Sequence, residues 1–505
     1  EGFGDYSTNA AMLLAPALGQ PPREIAERLG EELTERLGAA LERFEVAGPG
    51  FLNLVLADRW YRTALGDVLA AGEGFGSGGA EPAERVLIEF VSANPTGPAT
   101  AASGRHAAYG DALARILGFH GHSVEREYYV NDFGSQVVRL GESIRARARG
   151  EEVPEDGYQG DYVTELAAAI PGAADADPAA LAERGVELMV ERIRATLRGF
   201  RLEFDTWFFE HSLHTGEPSA VQKAYDALER HDALYRSEGA LWLRTTAGGD
   251  DKDRVLERSS GEHTYFASDI AYHEHKRERG FDRLINVWGA DHHGYQARTK
   301  AAFGALGGDP EALEIVIMQF VNVIERGERA SMSKRRGDFV TLDDLMDEIG
   351  VDAARFFLVQ RSHDTTVDLD LDLAREQSND NPVYYVQYAH ARIASMLVKA
   401  GDDKVAGVSV DGGGESLHPA ERALVKRLLA FPDEVAEASA RRAPHRITVY
   451  ALELAQDFTA FYRDCRVVGA EPEAVESFRL ALCVATRRAI AGALDLLGVS
   501  APASM

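Results

Sequence analysis

Between residue 85 and about residue 360, short runs rich in Val, Ile, Leu and Tyr alternate with longer stretches of helical periodicity. The runs "RVLIEFVSA", "SVEREYYVND", "RLINVWGADHHG" and "EIVIMQFVNV" read as strands. Strands separated by helices pair in parallel, so this alternation predicts an α/β sheet covered by helices. The less regular stretch from about 140 to 260, with "PGAADADPAA" inside it, is expected to be an insertion between the two halves of the sheet.

The flanks follow other rules. Residues 1–80 mix short helices with "FEVAGPGFLNLVL", an alternating run broken by Gly48, Pro49 and Gly50, which predicts a hairpin in a small α+β domain. The Gly-rich string "AGEGFGSGGAEPAE" lacks the Lys of a phosphate loop and is read as a linker, with a boundary near residue 80. After about residue 370 the strand signal ends. Helical periodicity, interrupted by "GDDKVAGVSVDGGGES", predicts a helix bundle over 371–505.

A chain of 505 residues, 45% hydrophobic and 27% charged, has room for about three domains, and no apolar run approaches a membrane span. Cys465 and Cys483 lack metal or disulfide spacing, so a reducing, cytoplasmic setting is expected. The chain begins at Glu1 without Met or a signal-like stretch, and further N-terminal residues are expected before it. With 54 Lys and Arg against 81 Asp and Glu, the net charge of −27 argues against indiscriminate binding of nucleic acid, DNA included. Local basic surface remains in the helical region, at Lys426, Arg427, Arg441, Arg442, Arg446, Arg463, Arg466, Arg487 and Arg488.

The stretch "EFVSANPTGPATAASGRHAAYGDALARILGF" (89–119) is a strand, a Pro- and Gly-rich turn, and a helix. That geometry suits a phosphate at the helix N-terminus, yet the turn offers Ala99, Thr100, Ala101, Ala102 and Ser103. Together with "SANPTGP", "NVWGADHHGY" and "SMSKRRGDFVTLDDLMDEIGVDAARFFL", it resembles the class I aminoacyl-tRNA synthetases, and in detail the arginyl-tRNA synthetases. "GDYSTN", "VAGPGFLNLVL", "EQSNDNPVYYVQYAHARI" and "LGVSAP" extend the resemblance in order along essentially the whole chain.

The resemblance implies an N-terminal domain (1–80) touching the tRNA elbow and a Rossmann-type catalytic domain (81–370). It implies an anticodon-binding-like helical domain (371–505), and a monomer. It also implies a H-x-G-H signature whose imidazoles stabilise the phosphates of ATP. Where the family reads "PLHVGHGR", this chain reads "PATAASGR": Thr100 and Ser103 stand for the histidines and Ala102 for the glycine. Losing one positioned donor to a developing anion costs about 3 to 4 kcal/mol of barrier, so adenylation is expected to be impaired. In the second signature, Ser331 to Lys334, the first basic residue is gone and Lys334 remains. Thr100, Ser103 and Lys334 are therefore the candidate catalytic residues, and Gly97, Gly289, Asp291 and Ser333 the candidate nucleotide contacts.

The amino-acid pocket matches the family better. Glu89, Asn94, Glu210, Tyr265 and Asp269 correspond to its arginine binders, with His292 and His293 lining the cleft. Carboxylates and a phenol suit a guanidinium with five donors. Asp291, His292 and His293 superficially suggest a metal site. Neighbouring side chains of a strand point to opposite faces, so no metal is expected there.

Arg441, Arg442, Arg446, Arg463 and Arg466 are the candidate tRNA phosphate contacts, and Tyr388 and Tyr462 are candidates for stacking on loop bases. An intact guanidino pocket beside an eroded nucleotide site points first to a transferase that moves an aminoacyl group from charged tRNA to a guanidino small molecule, as in natural-product assembly. Two alternatives are a working arginine–tRNA ligase, which alone requires ATP and Mg, and a noncatalytic tRNA-binding or arginine-sensing protein.

Overall fold

The computed structural model describes residues 4–329 and 340–505. Its N-terminal unit comprises β1 (Tyr6–Thr8), α1 (Ala10–Leu18), α2 (Pro22–Leu37), β2 (Leu41–Ala47), β3 (Phe51–Leu56) and α3 (Asp58–Ala71). β2 and β3 form the expected antiparallel hairpin, and β1 adds to β3.

The central part runs through β4 (Arg85–Glu89), α4 (Ala101–His120), β5 (Ser123–Val130), α5 (Ser135–Arg149), α6 (Asp161–Ala169), α7 (Pro178–Gly199) and β6 (Thr206–Phe209). It continues through α8 (His211–His214), α9 (Ala220–Arg230), β7 (Leu234–Ser237), β8 (Ala240–Leu243), β9 (Arg254–Glu257), α10 (Tyr265–Glu278) and β10 (Arg283–Gly289). Then come α11 (Gln296–Ala305), β11 (Leu313–Met318), β12 (Val321–Glu325), β13 (Glu328–Arg329), α12 (Leu342–Val359) and β14 (Val367–Asp370).

Five strands form one parallel sheet in the order β11-β10-β4-β5-β6. Chain order reverses between β4 and β10. Ligands of such sheets bind at the carboxyl ends of the strands beside this switch point. Val86, Leu87 and Ile88 of β4 are at most 1% exposed, as a central strand covered on both faces requires.

The 140–260 stretch does not stand apart from the sheet. β6 lies within it and pairs with β5, so only the antiparallel β7-β8-β9 sheet is an appendage. "EIVIMQFVNV" likewise divides into β11 of the central sheet and β12 of a separate three-stranded sheet with β13 and β14.

The C-terminal part is helical: α13 (Leu371–Arg375), α14 (Pro382–Ala400), α15 (Asp402–Ala406), α16 (Pro419–Leu429), α17 (Phe431–Ala440), α18 (His445–Asp464) and α19 (Glu473–Leu496). Its core is continuous with that of the sheet, since α4, α12 and the bundle helices share one apolar cluster. Among the described residues, no helix is long and apolar enough to cross a membrane.

Candidate active site

The turn after β4 is strained where it leaves the sheet. Val91 and Ser92 have φ of 68° and 39°, left-handed values unfavourable for side chains with a Cβ and most of all for β-branched Val91. The bend lets Ser92 Oγ donate to Glu89 Oε1 at 2.9 Å and accept from the Tyr129 N–H at 3.2 Å. Further along, Thr100 caps α4: its Oγ1 accepts from the Ser103 N–H at 3.3 Å and lies 3.4 Å from the Ser103 hydroxyl. The Ala101 N–H donates to the Val340 carbonyl at 3.1 Å and the Gly104 N–H to the Thr100 carbonyl at 2.9 Å.

Among the described residues, Ala102 alone in this first turn has an N–H without an acceptor, and its side chain is exposed. Thr100 and Ser103, 6% and 9% exposed, are thus engaged with each other and with the helix end. The anion site expected at this N-terminus narrows to one N–H.

α4 is held firmly. Arg105, 1% exposed, donates to the carbonyls of Gln319 (2.7 Å), Phe320 (3.1 Å), Ser362 (2.9 Å) and Thr365 (2.7 Å). His106 lies on the side of α4 toward Val287 of β10, where burial first, and Arg105 second, push it down to about 4. It is a neutral packed imidazole and does not replace the missing pair. Gly97 packs under Tyr162, whose hydroxyl would sit 3.2 Å from a Cβ there and donates to the Thr96 carbonyl at 2.8 Å.

The expected arginine pocket is acidic. Glu210, 3% exposed, follows β6; Asp269 lies on α10; Glu89 ends β4. Asn131, with its amide turned as its neighbours require, donates to Glu210 Oε2 at 3.0 Å. Burial pushes Glu210 up to about 7, Asp132 adds to the rise, and hydrogen bonds from Tyr129 and Ser268 oppose it. Burial likewise pushes Asp269 up to about 7, with Glu210 and Glu89 raising it further and Arg298 and Lys276 lowering it.

Carboxylates raised by burial and by neighbouring carboxylates gain most from a cation placed among them. A guanidinium satisfies several oxygens at once and stays charged at every relevant pH. Asn94 sits at the edge of the strained turn and donates to Gln136 at 2.6 Å. Tyr265 is one helical turn before Asp269 and so shares its face of α10, but it is 64% exposed and rests near Gly134.

Sequence reading missed Tyr129, Ser268 and His214. His214 is stacked on Phe133 with centroids 4.2 Å apart, and its Nε2 is 3.1 Å from Ser268 Oγ and 4.0 Å from Glu210 Oε1. The alternation of "EREYYV" signals Tyr129 only as a strand residue.

On the β10 side the strand stops at Gly289. Asp291, His292 and His293 occupy a 3-10 turn over Ala290–Tyr295, so the opposite-faces argument made for a strand does not apply. All three are exposed, and His292 Nε2 lies 3.5 Å from Asp291 Oδ2. Among the described residues, no group of three or more His, Cys, Asp or Glu side chains converges on a metal position. Ser333 and Lys334 lie outside the described residues.

Of the five arginines expected to meet tRNA, Arg442 is already engaged. Its guanidinium makes a forked pair with Glu314 of β11 at 2.8 and 2.9 Å, and its carbonyl accepts from the Tyr109 hydroxyl of α4 at 2.6 Å. Glu314 also meets Arg283, which forks onto Glu84, so four charges join the bundle to the sheet. Arg446 pairs with Glu434 at 2.9 Å. Among the described residues, Arg441 and Arg463, 68% and 73% exposed, pair only with the sequence-local Glu437 and Asp464. Arg466 donates to the Val468 carbonyl at 3.3 Å.

Tyr388 and Tyr462 flank a groove of about 540 Å³ between α14 and α18, and the Arg392 guanidinium lies over both rings at 5.0 and 4.8 Å.

A parallel sheet with its polar groups at the switch point, followed by a helical bundle, defines a class I aminoacyl-tRNA synthetase architecture. Residues 200–395 match the family model described as tRNA synthetases class I (R), catalytic domain. A methionyl-tRNA synthetase from Mycobacterium tuberculosis shares the fold at a TM-score of 0.58 and 15% identity, covering 82% of this chain and 91% of that one.

Residues 1–56 match the arginyl tRNA synthetase N terminal domain, and residues 386–505 the DALR anticodon binding domain. An arginine–tRNA ligase of Frankia alni is 48% identical over 100% of this chain and 93% of its own length. One of Geobacillus thermodenitrificans is 45% identical over the same shares. The arginyl-tRNA synthetase of Thermus thermophilus superposes at a TM-score of 0.78 with 25% identity, covering 99% of this chain and 94% of that one. The chain belongs to the arginyl-tRNA synthetase family.

Proposed function

We propose that this chain is an arginine–tRNA ligase with a slowed activation step. The arginine carboxylate attacks the α-phosphorus of ATP and expels pyrophosphate; a terminal ribose hydroxyl of tRNA then takes the arginyl group from the adenylate. The observation that carries this reading is the acidic cluster at the switch point, buried Glu89 and Glu210 with half-buried Asp269, in a chain whose full-length relatives are named arginine–tRNA ligases. The divisions 1–80, 81–370 and 371–505 are assigned to tRNA contact, catalysis and anticodon binding. Mg would accompany the ATP phosphates and help neutralise their charge when ATP is bound.

Activation is slowed because two hydroxyls replace the two imidazoles, that of Thr100 capping α4 and that of Ser103 lying beside it. That observation also favours the second reading, transfer of an aminoacyl group from charged tRNA to a guanidino small molecule, which needs no ATP. Nothing in the relatives supports the transfer. Aminoacylation of tRNA with labelled arginine separates the two: ATP-dependent formation of arginyl-tRNA supports the ligase, and its absence, with arginine still bound, supports the second reading.

A further inference from the structure

Three buried polar residues lie in register across neighbouring strands of the sheet. Asn286 of β10 pairs with Glu89 of β4, which pairs with Glu127 of β5, and all three are at most 6% exposed. Such a row is costly in a core unless each member is satisfied, and α10 supplies the partners. Tyr272 donates to Glu127 Oε1 at 2.7 Å, and Arg279 also pairs with Glu127. Lys276, wholly buried, donates to Glu89 Oε2 at 2.6 Å and Asn286 Oδ1 at 2.9 Å, its ammonium 4.2 Å from the Tyr272 ring centre.

The amide of Asn286 is oriented by His273. Asn286 Nδ2 can only donate, so His273 Nε2, 2.8 Å away, accepts, and His273 Nδ1–H donates to the Asp269 carbonyl at 2.7 Å. Burial, and then the charge of Lys276, push His273 down to about 3, which keeps it in this neutral tautomer. A continuous buried chain therefore runs from Glu89 through Lys276, Asn286 and His273 to the backbone of Asp269.

We propose that Lys276 is a positioning residue for the arginine pocket: by neutralising Glu89 it allows Asp269 to carry its charge beside Glu210 when a guanidinium is bound. This rests on the arginine-binding reading above. Lys276 touches no substrate and acts through Glu89. The charged and titratable groups facing this centre are Glu89 from β4, Glu127 through Tyr272, Arg279 and His273 from α10, Arg298 from α11, and Asp132 and His214 beside Glu210. Lys276 is the cation that meets Glu89 directly, whereas Arg279 is committed to Glu125 and Glu127.

The test is calorimetric titration of L-arginine between pH 5.5 and 8.5 into the wild-type chain, Lys276→Met, and the double variant Glu89→Gln/Lys276→Met. Removing the cation alone raises the neighbouring carboxylates. The pH below which affinity is lost should move up by about one unit, with about tenfold weaker binding at pH 7. The double variant removes both charges and should return that midpoint toward the wild-type value, while its affinity at every pH is lowered by loss of the Glu89 carboxylate. An unshifted midpoint in Lys276→Met, or an equally shifted one in the double variant, overturns the proposal. If Lys276→Met fails to fold, Lys276→Gln, which keeps a donor toward Glu89 without the charge, takes its place: an upward shift of about one unit supports the proposal and an unshifted midpoint overturns it. A wild-type chain that binds no arginine at any pH overturns the pocket reading and, with it, the proposal.

Discussion

Rebuilding the first signature, through Thr100→His, Ala102→Gly and Ser103→His together, tests the activation argument most directly. The structure sets the cost. Thr100 caps α4, and loss of such a cap removes about 1 kcal/mol. Gly for Ala102 in the first turn removes about 0.5 to 1 kcal/mol. Ser103 is 9% exposed, so an imidazole there must displace neighbours, at about 1 to 3 kcal/mol. The triple variant should thus be about 2.5 to 5 kcal/mol less stable, visible in a urea melt. Each positioned donor that reaches the phosphates is worth about 3 to 4 kcal/mol of barrier, so even one productive imidazole should speed activation at least about 100-fold. The assay is arginine-dependent ATP–pyrophosphate exchange with tRNA present, run beside Ala102→Gly alone to separate the effect of the glycine from the gain of donors. A folded triple variant that exchanges no faster than the wild-type chain would refute the reasoning.

Arginine should raise the melting temperature much more than citrulline, its uncharged isostere, and Asp269→Asn should erase the difference in a thermal-shift assay. Because burial pushes Glu210 and Asp269 up to about 7, and the guanidinium binds their ionised forms, affinity should be full well above pH 7 and fall as pH drops through it; affinity that instead improves toward pH 6 would contradict the pocket. Arg441→Ala should flatten the salt dependence of tRNA binding by up to about one log–log unit with little change in stability. Arg442→Ala should leave the slope unchanged and cost about 1 to 3 kcal/mol in a denaturant melt, since it removes the forked partner of part-buried Glu314 and leaves it Arg283 alone. Tyr388→Ala should weaken tRNA binding by about 1 to 3 kcal/mol in filter titrations if its ring stacks on a base, and leave it unchanged if the ring only supports Arg392.

Four strands of the central sheet were legible because their apolar runs are long and bounded by turn residues. The fifth, β6, is four half-buried residues at the sheet edge, too short and too mixed to carry a period. "RLINVWGADHHG" reads on past the strand end because composition does not mark where pairing stops, while the chain tightens into a 3-10 turn at Ala290. The acidic pocket was legible through its motifs. Lys276 and Tyr129 were not, for their roles exist only in contacts between elements far apart in sequence, Lys276 with Glu89 and Tyr129 with Ser92. Arg442 shows the same limit in reverse: beside Arg441 it reads as surface charge, yet its partner Glu314 is 128 residues away.

That partner places a constraint on exchange of parts within the family. The Arg442–Glu314–Arg283–Glu84 ladder balances two cations against two anions, and only Arg442 comes from the bundle. A bundle grafted from another synthetase without a cation at that place would leave one arginine facing two carboxylates where the helical part meets the sheet. A chimera joined near residue 370 should therefore be recovered in good yield only when the graft carries an arginine there, or when Glu314 is changed with it. Over generations, the two positions are expected to change together or not at all.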